Sequence, residues 1–372
     1  MERSSFSNVT SSFGGDVSRI KKIRVLVVDD SPLMRQLITK SLNFDPKIEV
    51  VGAASDPFMA RDQIKQLNPD VITLDINMPR MDGLSFLEKI MTLRPMPVVM
   101  ISTLTEKGAK ETIDALELGA VDYVTKPTHN IYENFEKIAL EICEKVRTAS
   151  KANIKRLVEK AKNRGQKPYV SPASFKGTSL PQLVVMGAST GGVEALSAVF
   201  MSLPAHCPPI VVVQHMPPGF TKSFAVRMDR QCQPAVFEAT HKQVLSSGHI
   251  YIAPGDQHVH VVMRDGKMML ELSSSEGLVS GHKPSVDVLF DSAIRVPLRH
   301  KVGILLTGMG KDGAKGLLGL RQSGTKTFVQ NEETSLVYGM PRAAKEMGAA
   351  DHELPLSRVA NIIMGYGVDA TH

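Results

Sequence analysis

Three residues of the types that acyl transfer requires each stand just beyond a short apolar run. Ser189 follows Leu183-Val-Val-Met-Gly-Ala188, and His215 follows Ile210-Val-Val-Val-Gln214. Asp312 lies in the glycine loop Gly308-Met-Gly-Lys-Asp-Gly313, after the run Val302-Gly-Ile-Leu-Leu-Thr307. A serine can act as nucleophile, a histidine as its general base, and an aspartate as the group that orients the imidazole. The charge that develops on the attacked carbonyl then needs N–H donors. Thr190, next to the serine, and Met309, in the glycine loop, are the candidates. A structural or phosphate-cradling turn would also account for the glycines around Ser189, so the case rests on all three residues together.

A second set of chemistry-bearing residues lies earlier. Asp29 and Asp30 follow the run Ile23–Val28, and Asp75 ends the run Val71-Ile-Thr-Leu-Asp75. Three carboxylates brought together repel one another unless a divalent cation sits among them, and oxygen-only ligation suits magnesium. Lys126, after Asp122–Thr125, adds a fixed cation, and Ser102 ends the run Val98–Ser102. Such a set can place magnesium against a phosphoryl group received by one carboxylate. The plainer alternative is an acidic surface patch with Lys126 as an ion-pair partner.

Both sets depend on strands whose carboxyl ends meet at one edge. From Lys21 to Arg147 apolar runs alternate with amphipathic stretches such as Met34, Leu37, Ile38 and Leu42, a β-α repeat that predicts a parallel doubly wound sheet with right-handed crossovers. After Ser189 the pattern turns helical, with Val193, Leu196, Val199 and Phe200 on one face. Later runs predict strands at Ile250–Ala253 and Thr325–Gln330, a hairpin across Asp265-Gly266, and helices at Ser285–Ile294 and Lys315–Arg321. In open parallel sheets ligands bind outside the carboxyl ends of the strands. Both candidate sites are therefore expected at such an edge.

At 372 residues the chain is long for one core, and two domains are expected. Residues 1–20 are Ser-rich and predict a disordered leader, residues 21–147 a first domain, 148–181 a linker and 182–372 a second domain. The basic run from Lys151 to Gly165 is expected to continue the preceding helix before a flexible Pro-, Ser- and Gly-bearing stretch. With 42% hydrophobic residues, 22% charged and no apolar run near the ~20 residues of a membrane helix, the chain predicts a globular protein that is not membrane-inserted. Three cysteines without metal spacing suit a reducing cytoplasm. His249, His258 and His260 tempt a metal reading, but no matching acid or cysteine spacing accompanies them. The net charge of +6 raises nucleic acid as a partner. No helix-turn-helix pattern follows the linker, however, which argues against a DNA-binding regulator and for no nucleic acid. A dinucleotide site at Gly187 to Gly192 fails on spacing, because Ser189 stands where the second glycine belongs.

The first domain resembles the response-regulator receiver family through Val-Asp29-Asp30-Ser, Leu-Asp75-Ile-Asn-Met-Pro-Arg-Met-Asp-Gly, Ser102 and Thr-Lys126-Pro127. The resemblance implies phosphorylation of Asp75 and magnesium bound by Asp29, Asp30, Asp75 and the backbone carbonyl of Asn77. It also implies a switch through Ser102, Tyr123 and Lys126. The second domain resembles the chemotaxis protein-glutamate methylesterase family, CheB, whose members join a receiver to an esterase through a linker. The resemblance rests on Gly-Ala-Ser189-Thr-Gly-Gly, Gln-His215-Met-Pro-Pro-Gly-Phe, Tyr-Ile-Ala-Pro-Gly-Asp256, Lys-Pro-Ser-Val-Asp-Val-Leu-Phe290, Leu-Thr-Gly-Met-Gly-Lys-Asp312-Gly, Gln330-Asn-Glu and Tyr-Gly-Met-Pro341.

It implies hydrolysis of glutamyl γ-methyl esters on chemoreceptors with release of methanol, and deamidation of receptor glutamines. Ser189, His215 and Asp312 are the implied catalytic residues, with no cofactor for the esterase step. A chemotaxis histidine kinase is the implied phosphodonor, and methyl-accepting chemotaxis receptors are the implied substrates. The expected fold is α/β, with a flavodoxin-like receiver followed by a Rossmann-like methylesterase domain, both doubly wound parallel sheets. Gly187-x-Ser189-x-Gly191 also matches the nucleophile-elbow pattern of α/β-hydrolases. Those enzymes run Ser, Asp, His along the chain, whereas the order here is Ser, His, Asp. A different topology with convergent geometry is therefore expected.

Overall fold

The computed structural model describes residues 21–126, 135–153 and 180–365. The first unit comprises β1 (Ile23–Val28), α1 (Pro32–Leu42), β2 (Ile48–Ala54), α2 (Pro57–Leu67), β3 (Val71–Asp75), α3 (Gly83–Leu93), β4 (Val98–Ser102), α4 (Glu106–Leu118), β5 (Asp122–Thr125) and α5 (Phe135–Ala149). Its strands form one parallel sheet in the order β2-β1-β3-β4-β5. β3 and β4 are buried along their whole length, as a parallel strand covered by helices on both faces must be. Helix starts are set locally. Pro32 and Pro57 occupy first turns, where a missing N–H costs nothing, and Asp56 accepts the N–H groups of Phe58 and Met59. The strand order reverses between β1 and β3, so the crevice of this sheet opens beside Asp29, Asp30 and Asp75.

The second unit begins with β6 (Leu183–Ala188), α6 (Gly192–Met201), β7 (Ile210–Gln214), α7 (Phe220–Gln231), β8 (Ala235–Glu238) and β9 (His249–Ile252). It continues through β10 (His258–Arg264), β11 (Lys267–Ser273), α8 (Val286–Ile294), β12 (Lys301–Leu305) and α9 (Ala314–Gln322). The last elements are β13 (Lys326–Gln330), α10 (Met340–Glu346), β14 (His352–Leu354) and α11 (Leu356–Ile363). Seven parallel strands run in the order β14-β13-β12-β6-β7-β9-β8, and β10 and β11 form a separate antiparallel hairpin. β6 lies between β12 and β7, so its carboxyl end marks the second switch point. The expected class, two parallel doubly wound sheets, is the one observed. The weakly apolar β8, α7 and the short C-terminal elements carry too little periodicity to be seen in advance.

The two units pack directly. α4 lies against α6 and α7, where Arg227 of α7 pairs with both Asp114 and Glu117 of α4. Tyr123 of β5 stacks on Phe220 of α7. One buried apolar cluster includes Leu26, Ile113 and Tyr123 of the first unit and Val193 and Phe220 of the second, so apolar packing continues from one unit into the other.

The passage between the units departs from expectation. α5 ends at Ala149, and residues 150–152 form a turn rather than continuing the helix. The reason lies in the partner they meet: Asn153 N–H donates to Leu336 O at 3.2 Å, and its side chain donates to Glu333 O at 3.3 Å. Residues 148–153 are thus docked on the second unit. The leader at 1–20, the rest of the basic run and the Pro-, Ser- and Gly-bearing stretch lie outside the described residues.

Candidate active site

Ser189, His215 and Asp312 come from three strands that are neighbours in the sheet, β6, β7 and β12. The turn after β6 is fixed by its backbone: Ser189 N–H donates to Thr307 O at 3.0 Å, and Ser189 O accepts Gly192 N–H at 2.7 Å and Gln214 Nε2 at 2.9 Å. Gly191 takes φ +78°, a conformation that a side chain would strain. Gly187 serves differently from the turn residue its position suggests. It belongs to β6, and a Cβ there would come within 2.3 Å of Val286 Cγ1. It is small so that α8 can approach the strand.

His215 Nε2 lies 2.8 Å from Asp312 Oδ2. A carboxylate only accepts, so Nε2 carries the proton in this bond. Nδ1 is buried without a hydrogen-bond partner, and Ser189 lines the same cavity as His215. The His215 ring stacks on His282 with centroids 3.8 Å apart and planes 10° apart.

Asp312 is held by the start of α8. Its carboxylate accepts Ser285 Oγ–H at 2.8 Å, Val286 N–H at 2.7 Å and Asp287 N–H at 3.2 Å, taking the orphan donors that a helix start leaves unsatisfied. Burial works against the charge on Asp312. The bond and charge of His215, with the Val286 and Ser285 donors, outweigh it and hold the carboxyl down to about 2. Burial, followed by the charge of Asp312, pushes the adjacent Asp287 up despite the Gly316 N–H that it accepts. His258 accepts Ser285 N–H at Nδ1 and reaches Gly277 O from Nε2 at 2.8 Å. Its role here is to hold the α8 start, and it belongs to no metal-ligand group among the described residues. The roles of Ser285, Gln214 and His282 were missed in the sequence reading, and His258 was weighed there only as a metal ligand. Only Ser285 carried a signal, as a helix-capping residue before an apolar run.

The cavity in front of Ser189 has a volume of about 950 Å³, and both units line it. Gly191, Pro217, His282 and Lys283 stand on one side, and Tyr123, Leu140, Glu144 and Lys145 of the first unit stand on the other. Both candidate oxyanion residues touch the first unit through their side chains. Thr190 Oγ1 donates to Asp122, and Met309 Sδ accepts from the Thr148 hydroxyl.

In the first unit, carboxylate oxygens of Asp29, Asp30 and Asp75 lie within 4.8 Å of one another. Lys126 Nζ is 3.1 Å from Asp29 Oδ2 and 2.8 Å from Asp75 Oδ2, close enough for ion pairing but without hydrogen-bond alignment, so both oxygens keep free lone pairs. Burial pushes the Asp75 carboxyl up to about 6 against the pull of Lys126, and burial likewise raises Asp29. These carboxylates are short of positive charge, and an oxygen-liganded divalent cation fits that deficit. Asn77 is exposed at the same edge. Ser102 is turned elsewhere: its hydroxyl accepts from Thr112 at 2.6 Å and donates to Gly108 O at 3.3 Å, both in α4. Tyr123 faces the second unit through its stack on Phe220.

Comparison with known proteins places both units. The family described as CheB methylesterase matches residues 184–363, and the family described as response regulator receiver domain matches residues 25–134. A protein-glutamate methylesterase/protein-glutamine glutaminase of Nitrosomonas europaea is 48% identical over 352 residues, covering 94% of this chain and 98% of that protein. One of Pseudomonas aeruginosa, bearing the same name with the number 2, is 49% identical over 342 residues, covering 92% of this chain and 96% of that protein. The crystal structure of the Thermotoga maritima CheB methylesterase catalytic domain is similar at 38% identity, covering 50% of this chain and 98% of that one, with a TM-score of 0.48. Relatives this close over nearly their whole length, receiver and esterase together, place the chain in the CheB family of receiver-linked protein-glutamate methylesterases.

Proposed function

We propose that Ser189, His215 and Asp312 perform the hydrolysis for which the family is named, with Ser189 as nucleophile. The chain is a receiver-linked protein-glutamate methylesterase and protein-glutamine glutaminase. The observation that carries the assignment is the His215–Asp312 bond at 2.8 Å, which leaves a bare, buried Nδ1 in the cavity that holds Ser189. Nδ1 takes the Ser189 proton as Oγ attacks the γ-carbonyl carbon of a methylated glutamate. Asp312 stabilises the imidazolium that results, and backbone N–H groups at Thr190 or Met309 receive the oxyanion. Nδ1 returns the proton to departing methanol, or to ammonia when the substrate is a glutamine side chain. Water activated by the same nitrogen then releases the glutamate. The substrates are side chains of methyl-accepting chemotaxis receptors.

The domain division follows the same reading: a receiver over 21–147, a connection over 148–181 and a catalytic domain over 182–372. Asp75 accepts a phosphoryl group from a chemotaxis histidine kinase. Asp29, Asp30, Asp75 and the Asn77 carbonyl would hold magnesium, which would supply positive charge beside a phosphoryl group on Asp75. Ser102, Tyr123 and Lys126 read the phosphoryl state. Among the described residues no helix is long and apolar enough to cross a membrane, and a cytoplasmic location suits both the receptor tails and the kinase. The test is methanol release from methylated receptor membranes, measured with and without acetyl phosphate and magnesium. The reading expects release that rises with the phosphodonor; no release under either condition overturns it.

A further inference from the structure

The Asp312 bond alone does not aim His215. One hydrogen bond at Nε2 fixes an edge of the imidazole but leaves the ring free to swivel about that contact. Nδ1 has no partner to stop it. The structure supplies the missing constraint from the face. The His282 ring lies 3.8 Å from that of His215, almost parallel at 10°.

His282 is itself presented rigidly. Val279 and His282 exchange both backbone hydrogen bonds, at 3.1 and 2.9 Å, across a tight turn in which Ser280 and Gly281 take φ +53° and +83°. Ser280 Oγ then donates to Asp287 Oδ2 at 3.2 Å, tying this turn to the α8 start that holds Asp312. One helix terminus therefore references both the edge and the face of the His215 ring.

We propose that His282 is a positioning residue for the esterase reaction, whose stacked ring fixes the plane of His215 and so aims Nδ1 at Ser189. The inference rests on the triad assignment given above. The charge state of His282 suits the role. Burial, then the proximity of His215 and of Lys145 in the receiver, push it down to about 4, against the pull of Asp312. At neutral pH it is an uncharged ring and does not repel the imidazolium that His215 becomes. Its backbone is held by the turn, so the side chain can be exchanged without removing a hydrogen bond of the fold.

The test uses the full-length chain on methylated receptor membranes, with and without acetyl phosphate, comparing His282→Ala and His282→Phe with wild type and Ser189→Ala. Misaiming a reacting group by about 1 Å costs up to ~100-fold, so His282→Ala should lower kcat by about 10- to 100-fold. KM should stay within about twofold, because the loss falls on the transition state. His282→Phe restores a flat neutral face and should recover most of kcat. Wild-type kcat in His282→Ala overturns the proposal. So does a His282→Phe variant with unchanged thermal unfolding that is as slow as His282→Ala, because His282 would then act through a nitrogen. Activity surviving in Ser189→Ala overturns the triad itself, a result separable from either of these.

Discussion

Tyr123 of the receiver and Phe220 of the catalytic domain stack with ring centroids 4.9 Å apart and planes only 4° apart. Tyr123 ends its approach buried, with Lys145 Nζ 4.8 Å from the ring centroid on its own side of the interface. Its neighbour Asp122 accepts the hydroxyl of Thr190, the residue after the proposed nucleophile Ser189. The β5 strand that carries the proposed switch residue is therefore also the strand that covers the esterase. Any rearrangement of Tyr123 must break an aromatic stack, and such pairs contribute about 0.5–1.5 kcal/mol beyond area burial. A receiver whose phosphorylated form tolerates the stack less well shifts the chain toward an open state by that difference.

Arg227→Ala should activate the unphosphorylated protein. Arg227 of α7 reaches two receiver carboxylates, Asp114 and Glu117, and all three side chains are only part exposed. A pair in that setting is worth about 1 kcal/mol, enough to change a closed-to-open ratio about fivefold. Basal methanol release should rise about three- to tenfold, while the rate at saturating phosphodonor should not move. A variant with unchanged basal rate would show that α4–α7 docking does not limit access.

Asp75→Asn should abolish the response to acetyl phosphate and, less obviously, stabilise the fold at neutral pH. Burial, the largest influence, pushes the Asp75 carboxyl from 3.8 to about 6 despite Lys126. Between those values the folded state holds a proton that the unfolded chain releases, so stability falls as pH rises through this window. Above about pH 6 the whole cost remains, on the order of 3 kcal/mol. Asparagine carries no such cost. Without magnesium, the urea midpoint of Asp75→Asn should exceed that of wild type at pH 7.5, and the gap should close near pH 4. A midpoint lower than wild type at pH 7.5 contradicts the sign.

The elements that carry both sites were legible because each site residue follows a buried parallel strand, and such strands read as unbroken apolar runs. Leu183–Ala188, Ile210–Gln214 and the run before Asp312 announce their positions for that reason. The His215–His282 stack was not legible, because it joins residues 67 positions apart through a two-residue turn with no apolar period. Nor was the choice of nitrogen, since nothing in the sequence says that Asp312 would meet Nε2. Residues 151–152, the start of the basic run, were misread as helix because that run has helix-forming composition. Docking of Asn153 on Leu336 overrides local propensity there.

Asp312→Asn and Ser285→Ala should separate the charge of the proposed triad acid from its placement. The asparagine keeps an oxygen for the α8 N–H groups but can offer the imidazole a donor, favouring the wrong tautomer. A loss on the order of 10⁴ in kcat is expected for such a change. Ser285→Ala removes one of the three donors that hold the carboxylate, leaving Val286 and Asp287 N–H in place. Its kcat should fall by only about 10-fold, about the worth of one hydrogen bond to a charged group. Equal losses in the two variants would mean that Asp312 acts through fold alone.

The catalytic domain released from its receiver should be faster than the intact unphosphorylated chain. Its seven-stranded sheet closes within residues 183–354, and one of its apolar clusters, from Leu183 and Val213 to Leu305 and Met340, contains no receiver residue. A fragment over residues 182–372 should therefore fold, although Phe220 and Arg227 lose their partners and face water. What the fragment gains is access. Tyr123, Leu140, Glu144 and Lys145 leave the cavity wall, and Thr190 is released from Asp122. Tethering makes docking intramolecular, so a modest interface can hold the closed form most of the time. If that form is populated at about 90 to 99%, release multiplies the open fraction by about 10 to 100. Methanol release by fragment and full-length chain at equal concentration on the same membranes checks this. The same fragment should not respond to acetyl phosphate. A folded fragment no faster than the whole chain would remove the restraint model and leave the Tyr123–Phe220 stack a structural contact without regulatory weight.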